Sequence, residues 1–275
     1  IVPHIDDLEY NGLPPYDILR KLFATFGMDA MAREGFKKRI ERERAIEAGE
    51  DVAQPTSSGG GDGGGMSLIP IIELCRVCPG MVTAMGVSMG LASAAIMSKG
   101  TTAQKERWAL DLLTLDKVGA WAITEPNSGS DAFGSMKATA RRDGDEYVLN
   151  GRKWWTTGAV NPRCKIMLVM GKSNPENDRH RQHSTILVPR DTPGVKLVRE
   201  LRVFDSLHSP GGEAELLFDN VRVPVANMIK GEGCGFEIAQ GRLGPGRFQY
   251  AMGLVGAAQR CLELMCARAQ ERVAF

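Results

Sequence analysis

The chain carries almost no net charge: 34 Lys and Arg stand against 33 Asp and Glu in 275 residues, a formal +1 at pH 7. No broad basic surface follows, so neither nucleic acid nor an anionic membrane surface is an expected partner. Histidine is scarce, at four. His180 and His183 sit among Arg179, Arg181 and Gln182 without a third histidine or a carboxylate pair at ligand spacing, so a polar surface loop is expected there and no metal. His208, beside Ser209-Pro-Gly-Gly212, offers no more. Of six cysteines only Cys75-Arg-Val-Cys78 is closely spaced. A structural zinc needs four ligands and no matching second pair exists, so this pair is expected on a buried helical face, in a reducing intracellular compartment. The chain begins Ile1-Val-Pro, with neither an initiating Met nor the basic, apolar, small-residue order of a secretory signal.

Three stretches imitate motifs whose context is missing. Gln54-Pro-Thr-Ser-Ser-Gly-Gly-Gly-Asp-Gly-Gly-Gly65 lacks the Lys-Ser or Lys-Thr of a phosphate loop and is expected to be a mobile connector. Pro79 to Ser98 is uncharged, and on length alone it raises the question of a membrane span. Its richness in Gly, Ala, Ser and Met points instead to a buried helix, and no span is expected. Within it, Gly86-Val-Ser-Met-Gly90 has the spacing of a nucleophile elbow but no strand before the serine, so no hydrolase is read from it.

What is present is helix, then strand, then helix. Ile18, Leu19, Leu22, Phe23 and Phe26 follow helical spacing, and the mixed charges of 33–50 suit a solvated helix with i,i+4 pairs. Gly100-Thr-x-x-Gln starts another helix. From Lys117 to about Pro224 short alternating runs separated by turns such as Asp191-Thr-Pro-Gly194 predict a β domain. Beyond it, Phe248, Met252, Val255, Leu262, Cys266 and Ala269 form a helical apolar stripe, with Gly253 and Gly256 permitting close approach by another helix.

The chemistry is concentrated in Ala120 to Thr157. Val118 to Thr124 reads as an apolar strand, and Pro126-Asn-Ser-Gly-Ser-Asp131 is a turn that leaves backbone N–H groups available. Alternation resumes, breaks at Asp143-Gly144-Asp145 and restarts at Tyr147. Asn150-Gly151 then predicts a tight hairpin that delivers Lys153-Trp-Trp-Thr-Thr157. Two strand ends meet, one with Thr124 and Ser130, the other with Trp154, Trp155, Thr156 and Thr157. A flat ring system fits between them, one face on Trp155 and its heteroatoms on hydroxyl or N–H groups.

Ile123-Thr-Glu-Pro-x-x-Gly-Ser-Asp131 followed by Asn150-Gly-x-Lys-x-Trp-x-Thr157 resembles the flavin-binding signature of the acyl-CoA dehydrogenases. Downstream, Thr192-Pro-Gly-Val195, Phe218-Asp-x-Val-x-Val-Pro224 and Gly231-x-Gly-x-Gly-Phe236 follow in the order of that family, and the resemblance runs from about Leu68 to Phe275. Lys153-Trp-Trp-Thr-Thr-Gly158 and Gly235-Phe-Glu-Ile-Ala-Gln-Gly-Arg-Leu-Gly-Pro-Gly-Arg247 are similar to the branch of family members ten and eleven. The glycine-rich run departs from the family, which has a shorter glycine-containing loop near that position.

The resemblance implies an α+β fold: an N-terminal helical domain over 1–116, with 54–65 as connector; a middle β-barrel or sandwich domain over 117–230; and 231–275 as the first helix of a C-terminal helical bundle. It implies FAD as cofactor, with Trp121, Ile123, Thr124, Ser130, Trp155, Thr156 and Thr157 in the binding segments. Arg272 and Phe275 correspond to residues that contact FAD in a neighbouring subunit of a homodimer or homotetramer. Ser130 and Arg247 correspond to residues near the CoA part of the substrate.

The implied activity is α,β-dehydrogenation of an acyl-CoA to the trans-2-enoyl-CoA, with electrons passed to an electron-transfer flavoprotein. The implied location is the cytoplasm of a bacterium or the mitochondrion of a eukaryote. The family places its catalytic glutamate either late in the C-terminal bundle or just before the position of Arg247. Here that second position is Gly246, so the base is expected beyond residue 275 and 1–275 alone is expected to be inactive. A catalytically inactive flavin-fold binding protein, or a flavin oxidase or monooxygenase on the same fold, are the alternatives.

Overall fold

The computed structural model describes residues 1–9, 11–52, 68–204 and 212–274; the glycine-rich run, His208 and Phe275 lie outside them. Helices open the chain: α1 (Ile5–Glu9), α2 (Tyr16–Thr25), α3 (Met28–Glu47), α4 (Ile69–Cys75), α5 (Pro79–Lys99) and α6, residues 102–113. In α2 the helical spacing buries Leu19 and Phe23, while Phe26 falls at the C-cap and is exposed. Helix α3 is the solvated helix its charges predict, with Lys38–Glu34 and Arg39–Glu43 paired one turn apart.

Helix α5 is long and apolar enough to cross a membrane by length and composition, and in this fold it packs on protein. Its middle, Val87–Ser93, is wound as π-helix. Before that wide turn Met81 and Ala84 join Leu8, Leu19 and Phe23 in one core; after it Ala92, Ala95 and Ile96 join Leu112 and Trp121 in another. Ser88, the serine of the elbow-like motif, is fully buried. Its hydroxyl donates to the Leu112 carbonyl at 3.2 Å and accepts the Gly119 N–H at 3.2 Å, sewing α5 to α6 and to the first strand. Cys75 and Cys78 are buried, as the helical-face reading expects. The capping box at the start of α6 is Thr101 with Gln104.

Seven strands form one curled mixed sheet: β1 (Val118–Ala122), β2 (Thr139–Asp143), β3 (Glu146–Thr157), β4 (Cys164–Lys172), β5 (His183–Pro189), β6 (Val195–Glu200) and β7 (Glu213–Pro224). The order is β1-β4-β2-β3-β7-β6, with β5 also on β4. Strand β1 is buried along its whole length because α5 and α6 cover it. A short helix, α7 (Ala132–Ser135), closes the loop after β1, capped by the Asp131 carboxylate.

Three local readings change in the fold. Asn150-Gly151 makes no hairpin: β3 runs straight through it, and the turn is Gly144-Asp145, between the paired Asp143 and Glu146. Gly151 is demanded instead by crowding, since a Cβ there would lie 2.5 Å from the Ala138 Cβ. His183 is not on a surface loop but is the fully buried first residue of β5, paired with Lys172 and edge-on to Phe133. The apolar stripe of the last helix, α8 (Gly235–Glu271), is largely exposed at Phe248, Val255 and Leu262; α8 packs on α4 through buried Gly253 and Gly256.

Candidate functional site

The two signature segments do meet. The Trp154 N–H donates to the Thr124 carbonyl at 2.8 Å, bringing the end of β1 against β3. Beside this junction is a cleft of about 170 Å³ lined by Val87, Leu91, Trp121, Ile123, Thr124, Trp155, Thr157, Ala239 and Leu243.

A β-bulge aims Trp155. Lys153 pairs with Leu216 and Thr156 with Ala214, so Trp154 and Trp155 together oppose Glu215 alone. Trp155 adopts φ 55°, a left-handed conformation rare outside glycine. Strict alternation would put Lys153 and Thr156 on opposite faces. The bulge buries both and leaves Trp155 36% exposed on the cleft wall, 5.1 Å from the Trp154 ring.

Two polar groups there are unequally prepared for a ligand. The buried Trp121 Nε1 has no hydrogen-bond partner among the described residues, an orphan donor on a cleft wall. The Thr157 hydroxyl donates to the Glu213 carboxylate at 2.9 and 3.0 Å, so toward a ligand its oxygen is an acceptor. A flat indole, an orphan N–H and an oriented acceptor suit a planar ring carrying both donor and acceptor atoms.

Other candidates lie elsewhere. Thr156 is buried outside the cleft lining, Ser130 is exposed on the loop before α7, Arg247 is exposed on α8, and Arg272 caps the end of α8 in solvent. Val87, Leu91, Ala239 and Leu243 are not legible as site residues in the sequence, because nothing in an apolar helical residue says which neighbour it will wall.

Val87 and Leu91 also border a second, apolar groove of about 480 Å³ between α5 and α8. Gly86, Gly90 and Ala94 face it from α5, and Gly246, Gly253 and Ala257 from α8; Arg242 lies in its lining. Cleft and groove therefore share a wall, and their linings include no carboxylate.

Behind the cleft, Lys153 is fully buried and paired with Glu125 at 2.9 Å; burial pushes its pKa down to about 8 against the opposing pull of Glu125. His183 is pushed down to about 4, chiefly by burial and then by Lys172 and Lys153. An unfolded chain takes up this proton near pH 6.5 whereas the folded one resists to about 4. The unfolded state thus binds more protons in that window and stability falls as pH falls through it, by ~3 kcal/mol. Thermal midpoints from pH 7 to 4 check this: His183→Phe is expected to flatten the slope, and an unchanged slope would assign the acid loss to other groups. Among the described residues no group of three His, Cys, Asp or Glu is placed to hold a metal.

Helices, a curled middle sheet and a long final helix around an indole-walled cleft are the architecture of a flavin-dependent dehydrogenase. Family models match in sequence: "Acyl-CoA dehydrogenase, N-terminal domain" over 28–116, "middle domain" over 120–221 and "C-terminal domain" over 233–275. Mouse acyl-CoA dehydrogenase family member 11 is 51% identical over 180 residues, 64% of this chain and 23% of that protein. The butyryl-CoA dehydrogenase structure from Megasphaera elsdenii superposes with TM-score 0.79 at 25% identity, covering 100% of this chain and 66% of that one. A Mycobacterium abscessus structure assigned to the acyl-CoA dehydrogenases is 32% identical with TM-score 0.65, over 94% of this chain and 70% of that one. The chain belongs to the acyl-CoA dehydrogenase family, whose cofactor is FAD. It spans 23% of the length of the mouse relative.

Proposed function

We propose that the full-length protein is an acyl-CoA dehydrogenase that converts an acyl-CoA thioester to its trans-2-enoyl-CoA. The observation that carries this proposal is the shared wall of Val87 and Leu91: an apolar groove long enough for an acyl chain opens onto the cleft that suits a flavin ring. FAD, when bound, accepts the hydride that leaves the β-carbon. Trp155 then backs the ring, Trp121 Nε1 donates to it and the Thr157 oxygen accepts from it. Val87 and Leu91 hold the acyl chain against the ring and exclude water.

The α-proton needs an acceptor, and the groove lining supplies no carboxylate; Gly246 in that lining has no side chain. The base therefore comes from the sequence after Phe275, and residues 1–275 alone turn over no substrate. Arg272, exposed at the end of α8, is placed to reach a neighbouring subunit of a homo-oligomer, and electrons pass on to an electron-transfer flavoprotein.

The test is the visible spectrum of the full-length protein before and after anaerobic addition of a panel of acyl-CoAs. Bleaching of the flavin bands by one thioester is the expected result, and that thioester defines the substrate class. Bound flavin that no thioester reduces would replace this function with an inactive binding protein or an oxidase. Direct oxygen consumption separates those two.

A further inference from the structure

Glu125 and Lys153 are the most deeply buried ion pair among the described residues, with side chains 5% and 0% exposed. Neither lines the cleft. Lys153 Nζ donates to Glu125 Oε1 and to the Ile123 carbonyl, each at 2.9 Å. The Glu125 carboxylate also accepts the backbone N–H groups of Lys137 at 2.7 Å and Ala138 at 2.9 Å. The Glu125 backbone exchanges hydrogen bonds with Ser128 across the turn, at 3.0 and 3.1 Å.

One pair thus joins three segments: the loop after β1, strand β3 at its bulge, and the chain leading into β2. Ile123 and Thr124 precede Glu125 directly, and Trp155 follows Lys153 by two residues; all three wall the cleft. Two buried charges are a poor source of stability compared with apolar residues of the same volume, because their desolvation offsets their attraction. What they provide is direction. Directed hydrogen bonds from Lys153, Lys137 and Ala138 fix the loop against the strand, where an apolar contact would let it slide.

We propose that Glu125 and Lys153 are positioning residues for the flavin: they set the distance and angle between the Ile123–Thr124 wall and the Trp155 indole. This rests on the flavin reading of the cleft. It predicts that ring geometry, rather than folding alone, depends on the pair.

The experiment uses full-length protein and compares wild type, Glu125→Gln, Lys153→Met and the double variant, with Val188→Ala as a core-destabilised control. FAD affinity, the visible circular dichroism of bound FAD and thermal midpoint are read for each. The single variants are expected to lose at least tenfold in FAD affinity. The double variant, which leaves no unpaired buried charge, is expected to recover most of the thermal midpoint while its affinity stays at least tenfold weak and its flavin dichroism altered. Val188→Ala is expected to lower the midpoint and keep both flavin readouts.

A double variant with native affinity and dichroism would overturn the assignment while leaving the flavin reading intact. If the double variant does not fold, Glu125→Gln decides in its place, since it keeps the side chain's shape and an acceptor for one backbone N–H; native affinity and dichroism in that variant would overturn the assignment equally. Wild-type protein that takes up no FAD would overturn the flavin reading itself, and this assignment with it.

Discussion

Replacing Trp155 with Gly in the full-length protein is expected to weaken FAD binding about a hundredfold while leaving the fold of the apoprotein in place. The indole is the one large flat surface of the cleft wall already open to a ring, and losing a stacked aromatic partner of this size removes ~3 kcal/mol of binding. Stability responds differently. Trp155 sits at φ 55° in the bulge, a conformation that costs a non-glycine residue of order 1 kcal/mol and glycine nothing. The substitution relieves that strain as it removes the packing of Trp155 on Trp154, so the apoprotein midpoint should move little. Fluorescence titration with FAD beside a thermal melt separates the two effects. Affinity retained within threefold would mean that the ring binds elsewhere.

The second large effect is expected at Gly256, where Val should destabilise the protein by about 3 kcal/mol. A Cβ at this position would stand 2.1 Å from the Ile72 carbonyl oxygen and 3.0 Å from its carbon, both backbone atoms of α4 that cannot step aside. Helix α8 has to lift off α4. Gly253 provides the internal comparison: its Cβ would meet the Cys75 Sγ at 2.9 Å, a side chain free to rotate, and alanine gains helix propensity there. Gly253→Ala is therefore expected within about 1 kcal/mol of the parent. Because Tyr250, Leu254 and Ala257 on the same stretch wall the groove, Gly256→Val should also weaken acyl-CoA binding about tenfold. Denaturant midpoints for the pair decide it; equal losses at both positions would contradict close helix packing as the cause.

Much of this is legible from residues alone, for reasons that differ by position. The flavin-type signatures are local strings, and the strand ends that carry them meet through a single Trp154-to-Thr124 hydrogen bond. Gly253 and Gly256 are readable as a contact because only close approach explains two small residues on one face. The bulge is not readable: Lys153 to Thr157 has the composition of an ordinary strand, and alternation assigns Trp155 and Thr156 to the wrong faces. His183 is deceptive because its polar neighbours Arg179 and Arg181 belong to a turn that ends just before β5 begins. Asn150-Gly151 carries a turn signal whose true cause is the Ala138 backbone pressed against it, a contact between distant parts of the chain. The resemblance points to Arg247, whereas Arg242, on the same helix, is the arginine in the groove lining.

The π-wound turn Val87–Ser93 places a constraint on how this chain can change length over evolution. An α-helix advances about 100° per residue, and a π-turn holds one residue more than its α counterpart. Deleting any one residue from this turn would let the helix wind regularly and would cost little locally. Everything downstream would nevertheless swing by about 100°, turning Ala92, Ala95 and Ile96 away from Trp121 and carrying Leu91 off the wall common to cleft and groove. Substitutions between 87 and 93 should be tolerated according to size, whereas single-residue insertions and deletions there should be purged whatever their composition.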